Sequence, residues 1–184
     1  MNKKFLHFCI FLFLILFIFG GFFIGSRKKN KVNVDLIPAP TISQIHEDKS
    51  LAKVLRVVDG DTIKVLVNNK EDTLRLIGID APETVDPKKT VQCFGKEASN
   101  KAKEVIAGKT ITLESDPTQG DRDEYGRLLR YVFLEDGTNF NELMISEGYA
   151  HEYTFKGNPY KYQSEFIQAE KKAREENKGL WGSC

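Results

Sequence analysis

Acidic side chains follow two apolar, strand-like runs that lie close together in the chain. Asp61 comes just after the first run, and Asp80 and Glu83 end the second. Arg75 stands inside the second run, among apolar neighbours. A buried or half-buried charge is costly unless it is paired or coordinated. The pattern therefore predicts a site of carboxylates and arginine on a β scaffold.

The acids at these two strand ends are candidate metal ligands. Asp61 and Asp80 would supply carboxylate oxygens, and Ala81 adds a backbone carbonyl where the strand ends, which together suit a hard cation. The alternative is structural, with Asp61 as a turn residue and Asp80 capping the turn before Pro82. A zinc site is excluded, because the 3 histidines and the cysteines show no paired spacing.

Composition bounds the architecture. A chain of 184 residues with 41% apolar and 29% charged residues is long enough for one globular domain and an appendage. The formal charge is +1, from 27 basic and 26 acidic residues, so no global field attracts a polyanion or a membrane. Any affinity for nucleic acid must come from a local site.

Changes in composition along the chain divide it into three segments. Residues 1–25 contain an uncharged apolar stretch that is long enough to cross a bilayer. This stretch predicts a membrane anchor or a signal peptide. The anchor is favoured because no small-x-small cleavage site follows. Residues 26–50 are expected to form a flexible linker, and 51–184 the folded domain.

The predicted location is the cell membrane with the domain outside, or secretion if the segment is cleaved. The basic cluster after the apolar stretch opposes this by the positive-inside rule. Export is still preferred, because large domains can be translocated despite flanking charge and because of the cysteines described below.

Periodicity predicts an α+β, mainly β domain. The expected strands and helices are strands over 52–58, 62–67, 73–79, 110–114 and 128–134, a helix over 94–106, a short helix capped by Asn141 and running to Glu147, and a last helix starting near Pro159. Five strands with one helix inserted after the third predict a small closed barrel.

Several motifs occur in a fixed order over residues 51–184: Asp59-Gly60-Asp61-Thr62, Leu74-Arg75-Leu76, Asp80-Ala81-Pro82-Glu83-Thr84, Pro87-Lys88-Lys89, Phe94-Gly95-Lys96-Glu97-Ala98, Asp123-Glu124-Tyr125-Gly126-Arg127 and Gly179-Leu180-Trp181. This series resembles the staphylococcal nuclease (thermonuclease) family. The resemblance implies an OB-fold five-stranded β-barrel with three helices. It also implies a Ca²⁺-dependent phosphodiesterase that acts on DNA and RNA.

Phosphodiester hydrolysis assigns a role to each charged group. A hard cation neutralises the phosphate, and the resemblance makes Ca²⁺ the metal and the carbonyl of Ala81 one of its ligands. It also makes Glu83 the general base, although a glutamate that only orders water would give the same pattern. Arg75 and Arg127 can each grip two phosphate oxygens. Arg127 follows a glycine, so a merely solvated turn residue is its alternative.

Aromatic residues near these motifs are candidate substrate contacts. Tyr125 resembles the nucleotide-facing tyrosine of the family. Tyr153 and Phe155 fall near two further family tyrosines, with slightly different spacing, and core packing is their alternative. Glu124 stands where the best-known members have lysine, which should weaken substrate affinity more than catalysis.

Cys93 and Cys184 both lie inside the predicted domain. An even pair in an exported domain suggests a disulfide between them. The alternative is two unpaired thiols.

Two function classes remain at this point. The first is an active Ca²⁺-dependent endonuclease with little sequence preference, acting as a monomer. The second is a catalytically inactive OB-fold module that binds nucleic acid or peptides. All five charged groups that catalysis needs are present, which favours the enzyme.

Overall fold

The computed structural model describes residues 49–84 and 90–184. The predicted anchor or signal helix, the linker up to residue 48 and the Pro87-Lys88-Lys89 motif lie outside these residues. Within the two described ranges, no helix combines the length and apolar character that a bilayer crossing requires.

The core of the fold is a closed five-stranded barrel, which confirms the predicted architecture. Its strands are β1 (Lys49–Val57), β2 (Thr62–Val67), β3 (Lys70–Leu76), β5 (Thr110–Glu114) and β6 (Leu128–Phe133). They close in the order β1-β2-β3-β6-β5, and all neighbours are antiparallel except β3 and β6. The short strands β4 (Ile79–Asp80) and β7 (His151–Glu152) pair separately.

Alternating side chains build the interior of this barrel. In β2, Ile63 and Val65 are fully buried while Lys64 and Leu66 face outward. Burial of apolar side chains of this kind is the main stabilising term for the fold.

Three helices of seven or more residues belong to the described part of the chain, in agreement with the expected number. They are α1 (Gly95–Ile106), α2 (Phe140–Ser146) and α3 (Gln163–Glu175). A 3₁₀ turn at Phe155–Gly157 and a one-turn helix, α4 (Leu180–Ser183), were not predicted.

The predicted third strand is too long at its C-terminal end. β3 ends at Leu76, and the chain turns at Gly78 (φ 78°) before β4. A Cβ on Gly78 would lie 2.7 Å from the ring of Tyr160, so the turn depends on glycine both for its backbone conformation and for its close packing. The break matters for the site, because it places Arg75 and Asp80 on two different strands, β3 and β4.

The predicted cap of the second helix is also wrong. Asn139 is the cap, and its Oδ1 accepts hydrogen bonds from the backbone N–H groups of Asn141 (3.0 Å) and Glu142 (3.3 Å). Asn141 is fully buried instead, and its side chain accepts from Val132 N (3.0 Å) and donates to Ile77 O (2.9 Å). It therefore satisfies backbone groups at the end of the parallel β3–β6 pair. The last long helix begins at Gln163, later than the predicted start near Pro159.

Cys93 and Cys184 form a disulfide with their Cα atoms 6.0 Å apart. The bridge ties α4 to the segment that precedes α1, across a sequence separation of 91 residues. Closing a loop of this length contributes about 4–5 kcal/mol in the chain-entropy picture.

A buried aspartate connects the barrel to the segment before α3. Asp116 is 2% exposed and accepts hydrogen bonds from Tyr131 Oη (2.8 Å), Lys161 N (2.8 Å) and Thr118 N (2.9 Å). Burial alone would raise the pKa of Asp116, but these donors hold the pKa below its ordinary value. Burial and the carboxylate of Asp116 together raise the pKa of the Tyr131 phenol.

Replacing this carboxylate should destabilise the fold in a pH-dependent way. We expect Asp116→Asn to lower the free energy of unfolding by about 2–3 kcal/mol at neutral pH, because buried donors lose their acceptor. Since the native pKa lies below 3.8, the stabilisation is complete above that pH and is lost as the pH falls through the native value. Urea unfolding over an acid pH series should show wild type and variant converging. The exposed Glu71→Gln serves as the control, and a gap that stays constant with pH would contradict the assignment.

Candidate active site

Loops at one end of the barrel enclose a pocket of about 250 Å³. It forms where the β1–β2 turn meets the chain after β4 and the residue before β6. The lining residues are Val58, Asp59, Asp61, Thr62, Asp80, Ala81, Glu83, Gln92 and Arg127. Five of the residues singled out from the sequence, Asp61, Asp80, Ala81, Glu83 and Arg127, thus share one cleft.

Asp61 is the buried anchor of the pocket. It is only 4% exposed, and its Oδ2 accepts a hydrogen bond from Ala81 N at 2.9 Å. Its Oδ1 accepts from Thr62 Oγ1 at 2.9 Å. The carboxylate also forms an ion pair with Arg75. Asp61 therefore joins the β1–β2 turn to the chain beyond β4.

Arg75 lies between the two predicted metal ligands. Besides its ion pair with Asp61, it donates to Asp80 Oδ1 at 2.8 Å and to Ile79 O at 3.1 Å. Burial alone would lower the pKa of Arg75, but the charges of Asp61 and Asp80 raise it, so the guanidinium stays charged. The partner that sequence analysis required for an arginine within this strand is present. Arg75 itself is not among the described residues that line the pocket.

Asp59 is a pocket residue that sequence analysis named only as part of a motif. Its Oδ1 accepts from Gly60 N (2.8 Å) and Thr84 Oγ1 (3.0 Å), and its Oδ2 from Thr84 N (3.3 Å). Burial raises the pKa of Asp59, and the nearby charge of Asp61 raises it further. Its position two residues before Asp61 in a glycine turn was the signal that could have identified it.

Glycine is required in that turn by the close approach of a neighbouring segment. A Cβ on Gly60 would lie 2.6 Å from the Cβ of Ala81, closer than two such atoms can approach. The β1–β2 turn and the chain after β4 are therefore in direct contact at the base of the pocket.

Glu83 lines the pocket, and its backbone is hydrogen-bonded to Gln92. Sequence analysis did not identify Gln92 as a site residue. Glu83 N donates to Gln92 Oε1 at 2.8 Å, and Gln92 N donates to Glu83 O at 3.0 Å. No local sequence signal marks Gln92, because the contact joins residues nine positions apart through a non-repetitive segment.

Arg127 enters the pocket from the turn that precedes β6. Its Nε donates to Asp123 Oδ2 at 2.6 Å and its backbone N to Asp123 Oδ1 at 2.9 Å. Burial alone would raise the pKa of Asp123, but its hydrogen bonds with Arg127 lower it. Arg127 is thus held in place by a defined partner, and the alternative of a merely solvated turn residue is wrong.

The two predicted tyrosine contacts differ in their position. Tyr125 is 77% exposed, and its ring centroid lies 5.3 Å from the guanidinium of Arg127, which lines the pocket. Tyr153 follows β7, is 43% exposed and lies 6.3 Å from Phe155, ring to ring. The described pocket lining contains none of Tyr125, Tyr153 and Phe155, so the substrate contacts of Tyr125 and Tyr153 stay predictions.

The donor atoms at the pocket fit a hard cation. The acidic residues of the lining are Asp59, Asp61, Asp80 and Glu83, and the lining contains no histidine or cysteine. The described residues contain no ready cluster of three or more His, Cys, Asp or Glu side chains for a metal. A cation here would therefore depend on two carboxylates, a carbonyl and water.

Comparison with known proteins addresses the family. The pattern of the staphylococcal nuclease homologues matches residues 73–183. The chain is 44% identical over 131 residues to a thermonuclease of Staphylococcus hyicus, covering 71% of this chain and 75% of that protein. The chain belongs to the staphylococcal nuclease homologue family.

Two further relatives extend this result. A thermonuclease of Staphylococcus intermedius is 40% identical over 128 residues, covering 70% of this chain and 74% of that protein. Endonuclease YncB of Bacillus subtilis is 41% identical to this chain over 128 residues. The match covers 68% of this chain and 59% of YncB. The chain thus spans less than two thirds of YncB. Family membership and these relatives confirm the prediction of a nuclease-type hydrolase.

The pairing of Arg75 in this nuclease homologue can be tested through stability. We expect Arg75→Gln to lower the free energy of unfolding by about 3–5 kcal/mol, because the buried charge of Asp61 loses its counter-ion. Arg75→Gln/Asp61→Asn should recover much of that loss, since no unpaired charge then remains. Urea unfolding of both single variants and the double variant completes the cycle.

Lys171→Gln is the control for this cycle. Lys171 pairs with Glu175 at 3.9 Å on α3, where both side chains are largely exposed. Its loss should therefore cost less than about 1 kcal/mol. Additive effects of the Arg75 and Asp61 substitutions would show that the two side chains are not coupled.

Proposed function

We propose that this protein is a calcium-dependent nuclease that hydrolyses phosphodiester bonds in DNA and RNA with little sequence specificity. The observation that carries the proposal is the convergence of Asp61, Asp80, Ala81, Glu83 and Arg127 on one pocket. The thermonuclease and endonuclease names of its relatives support the same activity.

Asp61, Asp80 and the Ala81 carbonyl are the proposed metal ligands. When bound, Ca²⁺ would neutralise phosphate charge and polarise the phosphoryl oxygen without using a proton. Arg75 keeps both aspartates in one orientation by bonding one oxygen of each. The bond from Ala81 N to Asp61 fixes the backbone next to the carbonyl ligand.

Glu83 is the proposed general base. Its carboxylate would take a proton from the attacking water while Pro82, directly before it, restricts the backbone. On its other side, Thr84 is bonded to the buried Asp59 through both its backbone N–H and its hydroxyl. These contacts limit the directions in which Glu83 can point.

Arg127 is the proposed phosphate ligand of the protein. With its Nε bonded to Asp123, the two Nη atoms of its guanidinium are the donors for phosphate oxygens, and charge develops on those oxygens in the transition state. Tyr125, stacked beside this guanidinium, is placed to contact a base or a phosphate. Arg75 is the second arginine predicted to grip the phosphate. Its guanidinium lies between the two aspartates, and we propose that its charge also stabilises the transition state.

The alternative function is an inactive OB-fold binding module, which would be expected to have lost some of the charged residues that catalysis needs. The chain keeps all five charged groups, Asp61, Arg75, Asp80, Glu83 and Arg127, and four of them line the same pocket. A binding module has no need for buried acids beside paired arginines, so the enzyme is favoured.

Plasmid and RNA digestion tests the proposal. We expect cleavage with Ca²⁺ and none with a chelator. Glu83→Gln and Arg127→Ala should each lower kcat by about 100- to 1000-fold, the loss expected for one electrostatic or acid–base group. Lys171→Ala, on the exposed surface of α3 and outside the pocket, should retain activity. Folded Glu83→Gln and Arg127→Ala proteins with wild-type turnover, or cleavage that persists in chelator, would refute the mechanism.

We infer in addition that the domain works outside the cytoplasm, at the membrane or after secretion. The disulfide between Cys93 and Cys184 supports this, because such bridges persist in oxidising compartments. Protease treatment of intact cells, with a cytoplasmic protein as control, should degrade the domain or find it in the medium. A domain that is cleaved only after cell lysis would contradict the inference.

A further inference from the structure

The backbone of Glu83 is bonded to one residue through both of its polar groups. Gln92 accepts from Glu83 N through its side-chain Oε1 at 2.8 Å and donates its own backbone N to Glu83 O at 3.0 Å. Gln92 also lines the pocket. A side-chain acceptor thus substitutes for the backbone acceptor that a regular strand would provide.

Gln92 is fixed in turn by the start of α1. Its carbonyl accepts from Gly95 N at 3.1 Å. A Cβ on Gly95 would lie 3.0 Å from Pro82 O and 3.2 Å from Glu83 O, so α1 begins in close contact with the backbone that carries Glu83. Displacement of this helix start would therefore displace Glu83.

The two residues between Gln92 and Gly95 are constrained by distant parts of the chain. Phe94 has φ 64°, a left-handed conformation that costs free energy for a residue with a side chain. Its ring stacks on Tyr149 with centroids 5.5 Å apart. Cys93 is bridged to Cys184 after α4. The disulfide and the ring contact together hold a backbone that would otherwise relax.

We propose that Gln92 is a positioning residue for Glu83, and that the Cys93–Cys184 disulfide keeps Gln92 in place. The inference rests on the proposed function, in which Glu83 is the general base. A general base must lie within hydrogen-bond reach of the attacking water, and small displacements of such a group are costly. Gln92 acts on the direction of Glu83 and does not touch the reacting atoms.

The first test is steady-state kinetics on the full domain with Ca²⁺. We expect Gln92→Ala to lower kcat about tenfold with KM within about twofold of wild type, because transition-state alignment is lost while substrate binding is kept. Gln92→Glu retains an oxygen acceptor of the same reach and should restore most of kcat. Gln168→Ala, on the exposed face of α3, is the matched glutamine control.

The second test does not depend on activity. Amide hydrogen exchange at Glu83 should be faster in Gln92→Ala than in wild type, and close to wild type in Gln92→Glu. The same measurement on Cys93→Ala/Cys184→Ala should show partial loss of protection at Glu83, together with a fall in kcat at unchanged KM. These assays are run well below the unfolding temperature of each variant.

The Glu83→Gln background separates this inference from the proposed function. If Gln92 acts through Glu83, adding Gln92→Ala to Glu83→Gln produces no further loss of kcat. An inactive Glu83→Gln protein combined with wild-type kcat or wild-type Glu83 exchange in Gln92→Ala overturns the positioning role alone. A fully active Glu83→Gln protein overturns the proposed general base and the positioning role with it. Unchanged exchange and kcat in the double cysteine variant overturn the part assigned to the disulfide.

Discussion

The site depends on the guanidinium of Arg75, which lies between the carboxylates of Asp61 and Asp80. Arg75 bonds Asp61 from the β1–β2 turn and Asp80 from the end of β4, so three separate pieces of chain meet at its guanidinium. Asp61 is almost fully buried, and a lone carboxylate there would carry a large desolvation cost. The ion pairs therefore offset that cost and hold the β1–β2 turn and the end of β4 close together.

Around this centre, each functional side chain has a neighbour that sets its orientation. Asp123 holds Arg127, Asp59 holds the residue after Glu83, and Gln92 holds the backbone of Glu83 itself. Each of these three neighbours also accepts a hydrogen bond from a backbone N–H group, which side-chain substitution elsewhere cannot remove. A barrel with loops of this kind gives a rigid frame to groups that lie on irregular segments.

Sequence analysis predicted the barrel because alternating burial in strands such as β2 is a local property. It also singled out Asp61 and Asp80, which line the pocket, and Arg75, which pairs with both, because apolar strands do not tolerate such charges without partners. It failed where tertiary contacts decide the outcome. Gly78 ends β3 early by packing on Tyr160, and Asn141 is buried to satisfy two distant backbone groups although its residue type is typical of a cap. Gln92 could not be found, since glutamine at an exposed, irregular position has many possible roles.

The disulfide imposes an order on biosynthesis. Cys184 follows every strand and helix described here, while Cys93 precedes α1. A ribosome delivers residues in sequence, so the bridge cannot close until the whole barrel and α3 have been made. The covalent link beside the Gln92 segment can therefore form only by oxidation after all of these strands and helices have been synthesised.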